Sequence, residues 1–324
     1  MPRTFFLILF LSITLLPFGW NKFDITVDAE LIYILGTFLP GIVLLSWKKL
    51  GKNTQSTWTE RLLLLAFISF TILSFLYSPV KNYGWSEIII TAIGSVFFYI
   101  AQSFESKERK FFNAGITGMA FVSVAVAIYW YISFSENRMA GLFLDIDKKA
   151  HFWPNAFALF LLMSWPIILE VFRKNWNWIK TILISFIFAA LILTFSRAAF
   201  LTFMAQLMVF TFLAFRKKII KGKIPQVGVI IILSSLIIFG LHAFREKNTD
   251  YQNNSFAQKI AFEGTERQTS LVERWQFFKG GLKLTTQKPL LGHGPGTFRY
   301  LYPKIQPEFL ATSDHPHNWY IKIA

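Results

Sequence analysis

The stretch TILISFIFAALILTFSRAAFLTFMAQLMVFTFLAF, residues 181–215, decides the fold, because Arg197 is the only charge in it. Two apolar runs, 178–195 and 198–215, flank that arginine, and each approaches the roughly 20 residues a helix needs to cross a hydrocarbon core about 30 Å thick. Neither run has the charged face that a helix on the surface of a water-soluble domain carries. Working outward, seven more such stretches occur, near 4–20, 27–47, 62–78, 86–104, 111–134, 154–172 and 225–244. The expected fold class is therefore all-α, a polytopic membrane helix bundle of about nine complete spans.

Composition agrees. Of the 324 residues, 54% are hydrophobic, 18% aromatic and 16% charged, and Phe alone supplies 37. Even a dense core could not hide so much apolar surface from water, which excludes a single water-soluble globule. The 33 basic residues against 18 acidic ones would point to nucleic acid in a soluble protein. In a membrane protein the same excess follows from the bias of Lys and Arg toward cytoplasmic loops. With the N-terminus cytoplasmic, the inner loops hold 16 basic residues and the short outer loops 6, so no nucleic acid partner is inferred. The first stretch follows Arg3, but Pro17, Phe18 and Trp20 stand where a small-residue cleavage site would be, and it reads as a retained helix. The absence of Cys removes disulfides, thiolate metal sites and thiol nucleophiles together.

Three regions follow: a transmembrane bundle over 1–244, a large extracytoplasmic (periplasmic) loop over 245–318, and the start of a further, truncated transmembrane helix over 319–324. A loop of this length is expected to be an ordered lid or small subdomain. Its helix is placed at 269–286, where Leu271, Trp275, Phe278 and Leu282 recur at three-to-four-residue spacing. Such a helix lies on the membrane surface or turns its apolar stripe to a core, and the pattern fits both.

Few residues can carry chemistry. An intramembrane charge such as Arg197 costs at least about 2.5 to 3.5 kcal/mol unless it lines a cavity or meets a partner. A guanidinium can grip a phosphate or diphosphate through two parallel hydrogen bonds, whereas snorkelling at a tight turn is the plainer explanation. Arg274 lies in LVERWQFF, where a solvated helix face also accounts for it. In PLLGHGPGTF, residues 289–298, Gly292 and Gly294 flank His293 and let the backbone approach a ligand closely, as they would also in a plain tight turn. No Walker or Rossmann context frames these glycines. His315 and His317, in SDHPHNWY with Asn318, stand directly before the last apolar stretch, and an imidazole there can act as general base on a sugar hydroxyl. A zinc site is not expected, because no HExxH helix or Cys is present. Arg138, in the outer segment that ends in Pro154 and Asn155, adds to a positive rim or is a solvated loop arginine.

In order, Arg138 with Gly141, Pro154 with Asn155, Ser196 with Arg197, Arg274 with Trp275, Pro289 to Phe298, and His317 with Asn318 resemble the motif set of the O-antigen ligase and O-antigen polymerase superfamily of bacterial membrane proteins. The resemblance covers about 138–318. It implies an enzyme of the bacterial cytoplasmic (inner) membrane with its active site facing the periplasm, taking an undecaprenyl-diphosphate-linked glycan as donor. The implied acceptor is a glycan: the lipid A core in lipopolysaccharide biosynthesis, a growing surface polysaccharide, or a glycoprotein. It further implies no cofactor and no metal, Arg197 and Arg274 as diphosphate clamps, and His317 as the residue that activates the acceptor hydroxyl. Arg138, Gly292, Gly294, His293, His315 and Asn318 are the candidate substrate-binding residues, and Glu273 or Asp314 remain alternative bases. From the residues alone, a small-anion transporter with Arg197 lining the path, or a non-catalytic assembly partner, stay open.

Overall fold

A computed structural model describes residues 58–80, 88, 91, 95, 106–133, 138–141, 144–145, 151–152, 154–172, 176–216, 224–248, 266–290 and 292–306. The expected spans at 4–20 and 27–47, most of that at 86–104, the segment 319–324, and His315, His317 and Asn318 lie outside the described residues.

The helices are α1 (Trp58–Leu76), α2 (Ser106–Ser133), α3 (Pro154–Phe172), α4 (Trp178–Leu193), α5 (Arg197–Arg216), α6 (Ile224–Asn248), α7 (Glu266–Gln287) and the short α8 (Phe298–Leu301), followed by a 3-10 turn, Tyr302–Lys304. The one addition to an all-helical chain among these residues is a two-residue antiparallel ladder, β1 (Leu144–Asp145) with β2 (His151–Phe152), in which Leu144 faces Phe152 and Asp145 faces His151. Among the described residues, four helices are long and apolar enough to cross a membrane: α1, α2, α3 and the Gln226–Arg245 portion of α6; α4 and the Arg197–Leu213 part of α5 are apolar but shorter.

Local chemistry sets the ends. Pro154 opens α3, where its missing N–H costs nothing and its fixed φ suits a helix. Asn177 caps α4 by accepting the Lys180 amide at 3.0 Å. At the far end the Thr194 hydroxyl turns back onto the Leu191 carbonyl at 2.7 Å. Helix α6 runs to Asn248, four residues beyond the end at 244 that hydropathy gives it.

The chain divides into two compact units, one of residues 1–24 and 105–261, the other of 25–104 and 262–324. Helices α2 to α6 fall in the first unit, and the loop helix α7 shares the second with α1. In the first unit α4 packs on α6, α2 on α3, and α3 on α4 and α5. Its core is built from Ala120, Val124 and Ala127 of α2, Phe157, Leu161 and Ile168 of α3, and Ile184, Ile187 and Leu191 of α4, each set at helical spacing. Leu201, Met208 and Phe212 of α5 stay exposed, a pattern stable only where the surrounding solvent is itself apolar.

Polar side chains tie these helices together. Pro166 removes an amide from the interior of α3 and frees the carbonyl of Leu162. Gln206 of α5 answers it: its Nε2 donates to Leu162 O at 3.4 Å, and its Oε1 accepts from Trp165 Nε1 at 2.7 Å. Trp165 then sits edge-on to Phe188, Phe203 and Phe210. Between α4 and α6, Ser234 Oγ lies 3.2 Å from Ser185 O, because small residues let the two backbones approach.

Candidate functional site

In the first unit, one end of the bundle gathers three of the motif segments. Arg138 follows α2, and its Nε donates to the carbonyl of Thr194 at 2.7 Å while its Nη2 donates to Asn155 Oδ1 at 2.9 Å. The Met139 amide donates to Leu193 O at 3.0 Å beside it. Gly141 adopts φ +60° and lies so close to Ser123 and Phe157 that a Cβ would stand 2.5 Å from the Ser123 oxygen. Arg138, Asn155 and the turn that ends α4 are thus one hydrogen-bonded knot. At least part of the Arg138 fork is committed to backbone and amide, and these bonds hold the turn.

The turn itself is unusual. Phe195 takes φ +49°, a conformation that costs a bulky L-residue about 1 to 3 kcal/mol and persists only where its surroundings impose it. The Ser196 amide reaches the Thr194 hydroxyl at 3.3 Å, and the next residue, Arg197, opens α5 with its side chain exposed. A cation at a helix N-terminus opposes the macrodipole, so its own helix gains nothing from the charge there. The first amides of α5 have no intrahelical acceptor, so the same place offers an anion both charge and N–H donors.

Hydropathy did not single out Arg245. It is fully buried near the C-terminal end of α6, with its guanidinium carbon 4.4 Å from the centroid of the buried Tyr131 ring of α2. His242, one turn earlier, is buried as well. The signal was available in the spacing: Ile230, Ser234, Ile238, His242 and Arg245 form one continuous buried face.

The second unit holds the glycine-rich segment and Arg274. Gly292, Gly294 and Gly296 all have positive φ, at 63°, 94° and 73°. Gly294 abuts the last turn of α1, where a Cβ would lie 2.4 Å from Ser78 Cβ and 2.9 Å from the Ser74 carbonyl oxygen. Its close approach is therefore to the Ser78 side chain and the Ser74 carbonyl. His293 Nε2 donates to Leu284 O of α7 at 3.1 Å, which fixes the segment to the helix before it. Burial holds the His293 pKa below its usual value, with the Leu284 bond opposing and Lys288 adding to the decrease, so the ring is held as a neutral donor. Arg274 is exposed on α7, beside Trp275. Among the described residues, no group of three or more His, Asp or Glu is gathered that could hold a metal ion.

No curated protein and no solved structure matches the chain. Residues 181–324 match the sequence model of a family described as O-antigen ligase. That part of the chain begins in α4 and takes in the turn at Arg197, the buried face of α6, Arg274 and the glycine-rich segment, and over these residues the chain is similar to the O-antigen ligase family.

Proposed function

We propose that the protein is a membrane glycosyltransferase that transfers a glycan from undecaprenyl diphosphate to an acceptor sugar, as an O-antigen ligase or polymerase does. The observation that carries the reading is the knot of Arg138, Asn155 and Thr194, which draws three separate motif segments around the start of α5 in a chain whose C-terminal part matches O-antigen ligase. The topology we propose has about nine spans, a cytoplasmic N-terminus and a site facing the periplasm from the inner membrane. With 16 residues, α4 spans only about 24 Å, so the turn at its end sits below the membrane surface and Arg197 meets a head group at its own depth.

The chemistry asks little of the protein beyond fixed positive charge. The bond between the anomeric carbon and the diphosphate oxygen lengthens first, giving an oxocarbenium-like centre and negative charge on the leaving group. Arg197 and Arg274, each a permanent positive charge, neutralise that charge, and undecaprenyl diphosphate departs. The acceptor hydroxyl adds to the opposite face, inverting the anomeric centre, and gives its proton to His317. Lipid A core sugar, lipid-linked repeat and glycoprotein acceptors all enter through the same step. Cells carrying Arg197→Ala, Arg274→Ala or His317→Ala in the full-length protein should lose surface glycan while inserting the protein normally. Normal surface glycan in all three would defeat the assignment.

A further inference from the structure

Helix α7 carries apolar residues on two opposite faces, and one of them is left uncovered by the described residues. Phe277, Gly281 and Leu284 are buried, and Phe277 meets Phe298 and Tyr302 at centroid distances of 6.5 and 5.2 Å. At about 100° per residue, Trp275 and Leu282 lie roughly 160° and 140° round the helix from Phe277, and Val272 and Lys279 share their side. Trp275 is 55% exposed, Leu282 49% and Val272 51%, and Leu290, just past the helix, is 82% exposed.

Charge on this side is of one sign. Lys279 lies 5.4 Å over the Trp275 ring, and Lys283 follows one turn on along the same side. Between 272 and 288 the only acid is Glu273, which falls about 40° from Phe277, on the covered side. A stripe of Val, Trp and Leu edged by lysines whose stems can lie along it is the pattern of a helix at a lipid interface.

The position fits the pattern. Seven residues beyond the last residue of α7, Gly294 seats against Ser74 and Ser78 at the end of α1, a helix long and apolar enough to cross a membrane. The loop is thereby anchored at the level where that helix leaves the hydrocarbon.

We propose that the uncovered face of α7 lies flat on the bilayer, with Val272, Trp275, Leu282 and Leu290 among the upper acyl chains and Lys279 and Lys283 on the phosphates of anionic lipids. The partner is the lipid surface itself. The inference rests on α1 crossing the membrane and is independent of the glycan chemistry. If that chemistry also holds, the helix keeps Arg274, on its flank, at the height of a lipid diphosphate.

Residues 1–324 contain no cysteine, so a single introduced one is the only labelling site within them. The full-length protein bearing Val272→Cys, Leu282→Cys or Leu290→Cys is spin-labelled and reconstituted in vesicles containing phosphatidylglycerol. Its collision rates with oxygen, which partitions into lipid, and with a water-soluble nickel chelate are then compared. Labels at 272 and 282 should favour oxygen and report similar depths, and the preference should weaken when phosphatidylcholine replaces the anionic lipid. Three separate sites keep the test open if one variant misfolds. Labels that favour the nickel chelate would overturn the proposal, as would immobile labels that neither reagent reaches, the signature of a face covered by protein. A Leu282 label that changes only when a lipid-linked glycan is added would make the face a sugar platform and would also overturn it.

Discussion

Two chain reversals, at Thr194–Ser196 and at Gly292–Gly296, both use left-handed backbone, and they are held by opposite means. In the first a phenylalanine occupies φ +49°, and Arg138 grips the carbonyl of Thr194 beside it. In the second, glycines occupy the left-handed positions at no steric cost, and the absence of a side chain at Gly294 lets the turn seat on Ser78. One turn depends on a partner that must be present, the other on an atom that must be absent. Substitutions should therefore fail differently in the two places.

The largest effect is expected at Arg138. Arg138→Ala removes two charge-assisted hydrogen bonds and leaves Asn155 and Thr194 facing a gap, a loss of about 3 kcal/mol. Thermal unfolding in detergent, followed by tryptophan fluorescence, should show a clearly lower midpoint, and Arg138→Lys should not restore it because an ammonium lacks the fork. An unchanged midpoint with lost activity would instead favour a role for Arg138 in substrate binding alone. Next comes Gly294→Ala, for which the backbone conformation alone costs about 1 to 3 kcal/mol, roughly a fivefold or greater rise in the undocked population. Limited proteolysis of the 288–298 segment should accelerate accordingly, and adding Ser78→Gly should recover part of the protection. If cleavage is unaltered, the seat against α1 is not what holds the turn.

A smaller effect belongs to the core of the first unit. Gln206→Leu leaves the Leu162 carbonyl and the Trp165 indole without their amide partner, at about 1 kcal/mol inside a membrane helix bundle. A modestly lower midpoint, with Trp165 emission shifted, would bear this out; a midpoint that rises would not.

The smallest effect is one of pH and touches only the second turn. The folded-state pKa of His293 is depressed below its unfolded value near 6.5, so the unfolded or undocked ring binds more protons in the window just below that value. Docking strength is therefore fully present above about pH 6.5 and declines as pH falls through the window toward the folded pKa. Proteolysis at pH 5.5 should be faster than at pH 7.5, and a His293→Gln variant should lose the difference.

Much of the architecture was legible in the sequence because helices advertise themselves locally. The run 154–172 and the paired runs around Arg197 coincide with α3, α4 and α5 within a few residues, and the loop helix expected at 269–286 is found at Glu266–Gln287. What periodicity does not carry is the partner across space. Trp275 and Leu282 belong to a stripe with the spacing of a buried face, yet both are exposed and the face that packs is Phe277, Gly281 and Leu284, because Phe298 and Tyr302 fold back onto it. The glycines of 292–296 announce a turn without saying that it closes on α1. Arg245 was hidden for a related reason. The charges that follow it end the hydropathy signal, while the buried face of α6 runs on through His242 to the guanidinium over Tyr131.

The central claim, that guanidiniums at the start of α5 and on α7 release a glycan from a lipid diphosphate, is most directly tested with the purified full-length protein in liposomes supplied with a lipid-linked oligosaccharide and an acceptor glycan. Free undecaprenyl diphosphate should accumulate in step with elongated acceptor, and Arg197→Ala should reduce both by at least about a hundredfold, the loss of roughly 3 kcal/mol of transition-state stabilisation. Equal turnover by the Arg197→Ala protein, correctly folded and inserted, would contradict the account.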